Sequence, residues 1–192
     1  MKDLFRGQLV RLTMEEPEFL AKHQARWQRD TEFHRLASSR PAEMFSAKKI
    51  QQRGDELVEN DFKPQHYPFS IRALDGDRLI GFLNLWLNLI HSEAWLGIGI
   101  GEREFWGKGY GTDALKLGLQ YAFTELGAQR VSLGVYEYNP RARRAYEKVG
   151  FRLEGRTRQD ALRDGTRYDS LWMGILREEW IQTSEVCETS EV

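Results

Sequence analysis

The chain has 192 residues, with 28 basic and 29 acidic side chains and a formal net charge of −1. This length suits one domain with a real hydrophobic core. The balanced charge carries no nucleic-acid or membrane-surface signature, and no apolar run approaches the roughly 20 residues that span a bilayer. Met1–Arg6 lacks the apolar stretch of a secretory leader, which points to a cytosolic protein. The single cysteine, Cys187, excludes an intrachain disulfide framework and a Cys-rich metal site. It lies in an acidic, polar tail and is not a candidate nucleophile, and no metal is expected.

The first elements follow from periodicity. Gln8–Leu12 alternates as an opening strand, with Val10 and Leu12 on one side. Glu15, Glu16 and Pro17 suit a helix N-terminus, and the helix runs to about Asp30 with Phe19, Leu20, His23 and Trp27 on one face. Ser38–Pro41 breaks the pattern. A second helix is expected from Ala47 to Glu59, capped by Ser46. Residues 13–65 are where acceptor-substrate contacts are expected. Their histidines, His23 and His34, show no ligand spacing to one another or to His66.

Tyr67–Arg72 and Arg78–Asn88 read as a hairpin across Asp75-Gly76, and Ser92–Ile100 as a third strand. Glycine occupies every second position in Gly97–Gly101, so one face of that strand is bare backbone. Bare backbone serves either close packing or a ligand lying on the strand, and the loop that follows favours the ligand. Gly107, Gly109 and Gly111 alternate between the strand and a helical pattern, with Lys108 at the rim. Free N–H groups of a first helical turn and the helix dipole make such a junction an anion site. The sequence fits neither the P-loop nor the G-x-G-x-x-G frame, because Lys108 precedes Gly109 and position 112 is Thr112.

The helix after the loop runs from about Thr112 to Leu126, with Leu115, Gly118, Leu119, Ala122 and Leu126 as its core face. Arg130–Tyr136 alternates as a strand, so the centre of the chain is a crossover unit with a locally parallel pair. Asn139 then caps a helix with Pro140 at its first turn and Gly150 at its end. Two strands around Asp164-Gly165, spanning Asp160–Leu176, complete the domain. The Thr/Ser-rich acidic stretch 183–192 reads as a tail.

Two of these stretches resemble motifs of the GNAT N-acetyltransferase superfamily. Trp106-x-x-Gly109-x-Gly111 is similar to the acyl-CoA pyrophosphate loop, Arg/Gln-x-x-Gly-x-Gly/Ala, except that Trp106 stands at the first position. Asn139–Phe151 resembles the closing motif Asn-x-x-Ala-x-x-x-Tyr-x-x-x-Gly-Phe, in the right order and at about the usual distance. The C-terminal end looks like the branch with ribosomal-protein and spermidine N-acetyltransferases. The resemblance covers roughly residues 7–178. It implies an α+β fold: a central, twisted mixed sheet of about 6–7 strands with flanking helices.

It also implies an acetyl-CoA-dependent N-acetyltransferase working by direct transfer to a primary amine (a protein N-terminus, a polyamine or a small-molecule amine) in a ternary complex, as a monomer or homodimer. Backbone N–H groups of Gly107, Lys108, Gly109, Tyr110, Gly111 and Thr112, next to Trp106, would hold the pyrophosphate. Ile98, Gly99 and Ile100 would receive the pantetheine arm, with Asn139 and Arg144 also on the donor. Tyr146 takes the family's tyrosine position, as general acid to the leaving thiolate, or else as a core tyrosine. A proton must also leave the acceptor amine, whose pKa is about 10. The family branch often has an acid where this chain has Trp95, so Glu93, two residues earlier on the same strand face, becomes the candidate base. Trp86 and Trp95 either shape an acceptor pocket or fill core. The altered Trp95 and Trp106 keep a second reading open, a non-catalytic acyl-CoA-binding module.

Overall fold

The computed structural model describes residues 3–38, 44, 46–50 and 65–182. The strands are β1 (Val10–Thr13), β2 (Gln65–Ala73), β3 (Leu79–Asn88), β4 (Glu93–Ile100), β5 (Arg130–Tyr136), β6 (Arg152–Arg163) and β7 (Thr166–Leu176). They form one sheet in the order β1-β2-β3-β4-β5-β7-β6. Every neighbouring pair is antiparallel except β4 and β5. The helices are α1 (Pro17–Arg29), α2 (Thr31–Ala37), α3 (Tyr110–Thr124) and α4 (Pro140–Lys148). The mixed α/β architecture and the seven-stranded mixed sheet agree with the expectation, as does the parallel pair at the centre.

The main core lies between one face of the sheet and α3 and α4. Leu83, Leu85, Val131, Leu133, Met173 and Ile175 meet Leu115, Leu119, Ala122 and Phe123 there. The glycine at position 118 is needed for this approach, because a Cβ would meet the Leu83 side chain at 2.7 Å. A smaller cluster on the other face joins Trp27 of α1 and Phe33 of α2 to Leu79 and Phe82.

Three sequence expectations require correction. The buried residues of α1 are Ala21, Ala25 and Trp27, whereas Phe19 is exposed. The two alanines pack on Ile50, and small side chains let that segment approach where large ones would hold it off. A separate helix, α2, begins one residue after α1 ends. Its signal was Asp30, whose carboxylate accepts from the N–H groups of Glu32 and Phe33 at 3.0 and 3.2 Å and so caps a new helix. Finally, β6 begins at Arg152 rather than Asp160. It is an edge strand with most side chains in solvent, so it carries no alternation to read. Of the expected helix 47–59, only residues 47–50 lie inside the described part, as does its cap, where Ser46 Oγ accepts from Lys49 N–H at 3.3 Å. The tail 183–192 lies outside it.

Two carboxylates fasten the helices to the sheet. Asp113, in the first turn of α3, accepts from the N–H groups of Gln8, Leu9 and Val10 at 3.3, 2.7 and 3.0 Å. Glu102, just past β4, is buried and accepts from Trp27 Nε1 at 2.7 Å and Arg78 Nη2 at 2.6 Å, and pairs with Arg26. It therefore ties α1 to one end of the β3–β4 pair, where β3 starts and β4 stops. Removing it leaves a buried indole N–H without its acceptor and takes one carboxylate from Arg26 and from Arg78, which keeps Glu104, at a cost of about 2 kcal/mol. Glu102→Ala should lower the urea midpoint of unfolding with an unchanged m-value.

Candidate active site

The site begins where the sheet comes apart. β4 and β5 pair over only three positions, Glu93 with Arg130, Ala94 with Val131 and Trp95 with Ser132. Beyond them the two parallel strands diverge, and a cavity of about 680 Å³ opens between them. That volume lies in the range of small-molecule and cofactor sites. Its walls are β4 and β5, the N-terminus of α3, the inner face of α4, α2, and the β6–β7 hairpin.

The glycine loop forms the α3 end. Gly107 and Gly109 have φ of 72° and 93°, left-handed values that favour glycine, and Gly109 is the N-cap of α3. The N–H of Asp113 bonds to the Gly109 carbonyl. The N–H groups of Tyr110, Gly111 and Thr112 thus precede the first intrahelical bond. Gly107, Gly109, Gly111 and Thr112 line the cavity. Lys108 and Tyr110 do not; Tyr110 turns its ring edge-on to Phe105 at 4.9 Å.

Trp106 also lines the cavity, and its environment accounts for the exchanged residue type. Its Nε1 donates to the Ile100 carbonyl at 2.6 Å, which locks the loop to the end of β4. The Arg141 guanidinium, from α4, lies 3.9 Å from the Trp106 ring centroid. Cation–π attraction of this kind is strongest on tryptophan. Burial lowers the Arg141 pKa from its usual value. A positive charge thus reaches this corner from α4, although the loop itself carries an indole. Sequence reading missed Arg141, because nothing in the pattern says which face of α4 meets the loop.

On β4, lateral direction alternates along the strand. Gly101 N–H donates to Ile80 of the β3 strand side, while the Ile100 carbonyl accepts from Trp106. By the same alternation Ile98 and Leu96 turn their main-chain groups toward the cleft, and Gly99 turns its own toward β3. The bare face of the strand is occupied by rings. A Cβ at Gly97 would meet Trp86 at 3.0 Å, and one at Gly99 would meet Phe82 at 2.8 Å. The glycines therefore serve close packing on that face, and β4 offers the cleft its lateral N–H and C=O groups.

Three cations of α4, Arg141, Arg144 and Lys148, line the cavity. Asn139 caps the helix, accepting from Ala142 N–H at 3.1 Å, and its amide donates to the Leu36 carbonyl at 3.4 Å, which links α4 to α2. Tyr146 is 8% exposed, lines the same cavity and packs edge-on to Phe151 at 6.0 Å. Its hydroxyl makes no hydrogen bond to another described residue. Burial pushes its pKa up to about 12, so the phenol keeps its proton at neutral pH.

Glu93 lies elsewhere. It sits at the closed end of β4, accepts from Ser132 Oγ at 2.7 Å and pairs with Arg130, and it does not line the cavity. Trp95 is also outside, edge-on to Trp172 at 5.9 Å, whereas Trp86 and Trp172 are both in the wall. The carboxylate that does line the cavity is Asp160, from β6. Sequence reading places Asp160 at the start of a strand, but the bulge that carries it, and so its place in the cleft wall, leaves no signal in the pattern. Among the described residues no group of three metal-ligating side chains comes together, and no helix is long and apolar enough to cross a membrane.

Comparison with known proteins decides the family. The acetyltransferase (GNAT) domain matches residues 9–152. The chain belongs to the GNAT acetyltransferase family. It is accordingly an N-acetyltransferase whose donor is acetyl-CoA. Spermidine N(1)-acetyltransferase of Vibrio cholerae is 31% identical over 156 residues, 79% of this chain and 90% of that protein. The Bacillus subtilis protein named Probable N-acetyltransferase YjcK is 30% identical over 146 residues, 75% of this chain and 80% of its own length. A crystal structure of the Vibrio cholerae spermidine N-acetyltransferase with CoA and spermine superposes with a TM-score of 0.78, at 22% identity over 90% of this chain and 98% of that one. The likeness to that structure is one of fold.

The Tyr146 phenol links the site to stability. Its folded pKa of about 12 exceeds the unfolded value, so the unfolded chain loses this proton first as pH rises. The contribution is complete below about pH 10 and falls away from there to about pH 12, by roughly 2 kcal/mol. Unfolding of the wild-type protein measured from pH 9 to 12 should decline more steeply than that of Tyr146→Phe.

Proposed function

We propose that this acetyltransferase moves the acetyl group of acetyl-CoA to a primary amine by direct attack, with donor and acceptor bound together in the cleft. The observation that supports this reading most is one cavity shared by the α3 N-terminus, the three α4 cations and Tyr146. The catalytic domain is assigned to residues 7–178.

Each part answers a need of the reaction. N–H groups of the loop and of the first turn of α3 meet the pyrophosphate, where the helix dipole adds positive potential. Arg141, Arg144 and Lys148 give the donor's phosphates further counter-charge. Leu96 and Ile98 offer main-chain groups to the donor's amide-bearing arm. An N–H in that row, aimed at the thioester oxygen, stabilises the negative charge that develops during attack. Tyr146 donates its proton to the departing sulfur. A thiol of pKa about 8.5 needs only that modest help. No residue of the chain forms a covalent intermediate in this scheme, and Cys187 takes no part.

The test pairs calorimetric acetyl-CoA binding with thiol release against amine acceptors. Wild-type protein should bind acetyl-CoA and release thiol with an amine. Tyr146→Phe should lower kcat at least 10-fold with donor affinity within twofold of wild type, and an unchanged kcat would remove the acid role. Gly109→Glu places bulk and negative charge at the N-cap and should abolish donor binding. Tight binding without release by any amine would favour a sensing module over an enzyme.

A further inference from the structure

Asp160 is the one carboxylate among the described residues that line the cleft, and the backbone is deformed to put it there. In the β6–β7 ladder Thr157 pairs with Ser170 and Ala161 with Tyr168, so residues 158–160 stand opposite Asp169 alone. Gln159 lies at φ 55°, a left-handed value that side chains other than glycine adopt at a cost. Three hydrogen bonds hold the bulge. Asp169 accepts from Gln159 N–H at 2.8 Å, the Gln159 carbonyl accepts from Arg167 at 2.9 Å, and Ser170 Oγ donates to Asp160 Oδ1 at 2.8 Å. Bulges re-aim side chains, commonly beside active sites. The second oxygen of Asp160 makes no hydrogen bond to another described residue.

Two indoles line the same cleft. Trp172 is fixed by its Nε1, which donates to Thr157 Oγ1 at 2.8 Å, and Trp86 stacks on His66 at a centroid distance of 5.1 Å. A cleft that holds both aromatic walls and a carboxylate with one oxygen unbonded among the described residues suits a cation on an apolar frame. It does not suit the donor, whose phosphates would be repelled.

We infer that Asp160 anchors the ammonium form of the acceptor and takes its proton, and that Trp86 and Trp172 select an amine carried on an apolar or aromatic frame. The inference rests on the acetyltransferase reading above. One ammonium proton passes to Asp160, and the freed lone pair attacks the thioester carbon. The C–S bond breaks as sulfur takes the Tyr146 proton, and the second nitrogen proton restores the phenol. Asp160 then releases its proton to water. Spermidine carries cations along its whole length, and the described walls give it one carboxylate. Among the described residues, the cleft wall offers spermidine's remaining charges no second acidic partner.

The test measures kcat and KM for phenethylamine and for spermidine, with acetyl-CoA as donor, in wild type, Asp160→Asn and Asp160→Glu. Wild type should show the higher kcat/KM with phenethylamine. Asp160→Asn should raise the phenethylamine KM by about 10- to 100-fold, the size of one charge-assisted hydrogen bond. It should also move the pH–rate profile to higher pH, while the acetyl-CoA KM stays within twofold. Asp160→Glu should recover most of the loss, which a merely structural role at an exposed strand position would not produce. An unchanged phenethylamine KM in Asp160→Asn, with wild-type turnover intact, overturns the role of Asp160 alone. Preference of wild type for spermidine, or turnover of neither probe beside turnover of another amine, overturns the acceptor class. Acetyl-CoA binding without thiol release by any amine overturns the acetyltransferase reading and this inference together.

Discussion

Everything at the site depends on how briefly β4 and β5 stay together. Three residue pairs hold them parallel, and past Trp95 and Ser132 each strand follows a different partner. β4 remains with β3 up to Ile100, and β5 remains with β7 up to Tyr136. A sheet normally satisfies its own lateral hydrogen bonds. Here a row of them is left over inside the molecule, lined by α3, α4 and two hairpins, and it can be satisfied by an extended molecule with amide groups of its own. The fold thus creates a demand for a ligand before any side chain is considered.

Side chains then give the cleft direction. Its cations come from α4 and its one carboxylate in the described part from β6. Aromatic rings fill the space above the glycines of β4 and fix the depth of the floor. Tyr146 lines the same cleft, and its burial keeps the phenol neutral, as the proposed acid role requires. In the reaction proposed above, a donor rich in phosphate and a cationic acceptor would be sorted by charge before they meet.

The parts legible in the sequence were those whose chemistry is local. Gly107, Gly109 and Gly111 declare a turn at a helix start, and Asn139 with Pro140 declares a capped helix, because each needs only its neighbours to act. The crossover unit and the parallel centre followed from the same local logic. Glu93 shows where that logic ends. It shares a strand face with Trp95, but the cleft opens farther along, so the glutamate is left with Arg130 and Ser132. Asp160 and Arg141 were unreadable for the converse reason. One depends on a bulge in an edge strand without alternation, the other on how α4 rolls against Trp106.

The fastening of α3 by Asp113 bears on the order in which the molecule assembles. The three N–H groups it accepts, from Gln8 to Val10, lie 103 to 105 residues away along the chain. Closing so long a loop is slow relative to forming the α3 turn itself. The helix end facing the donor is therefore complete only when the first strand has come back across the sheet to meet it. On the growing chain, β1 is made about a hundred residues before the helix turn that fastens it. The α3 end of the cleft is in this sense a late product of folding, built from two segments about a hundred residues apart.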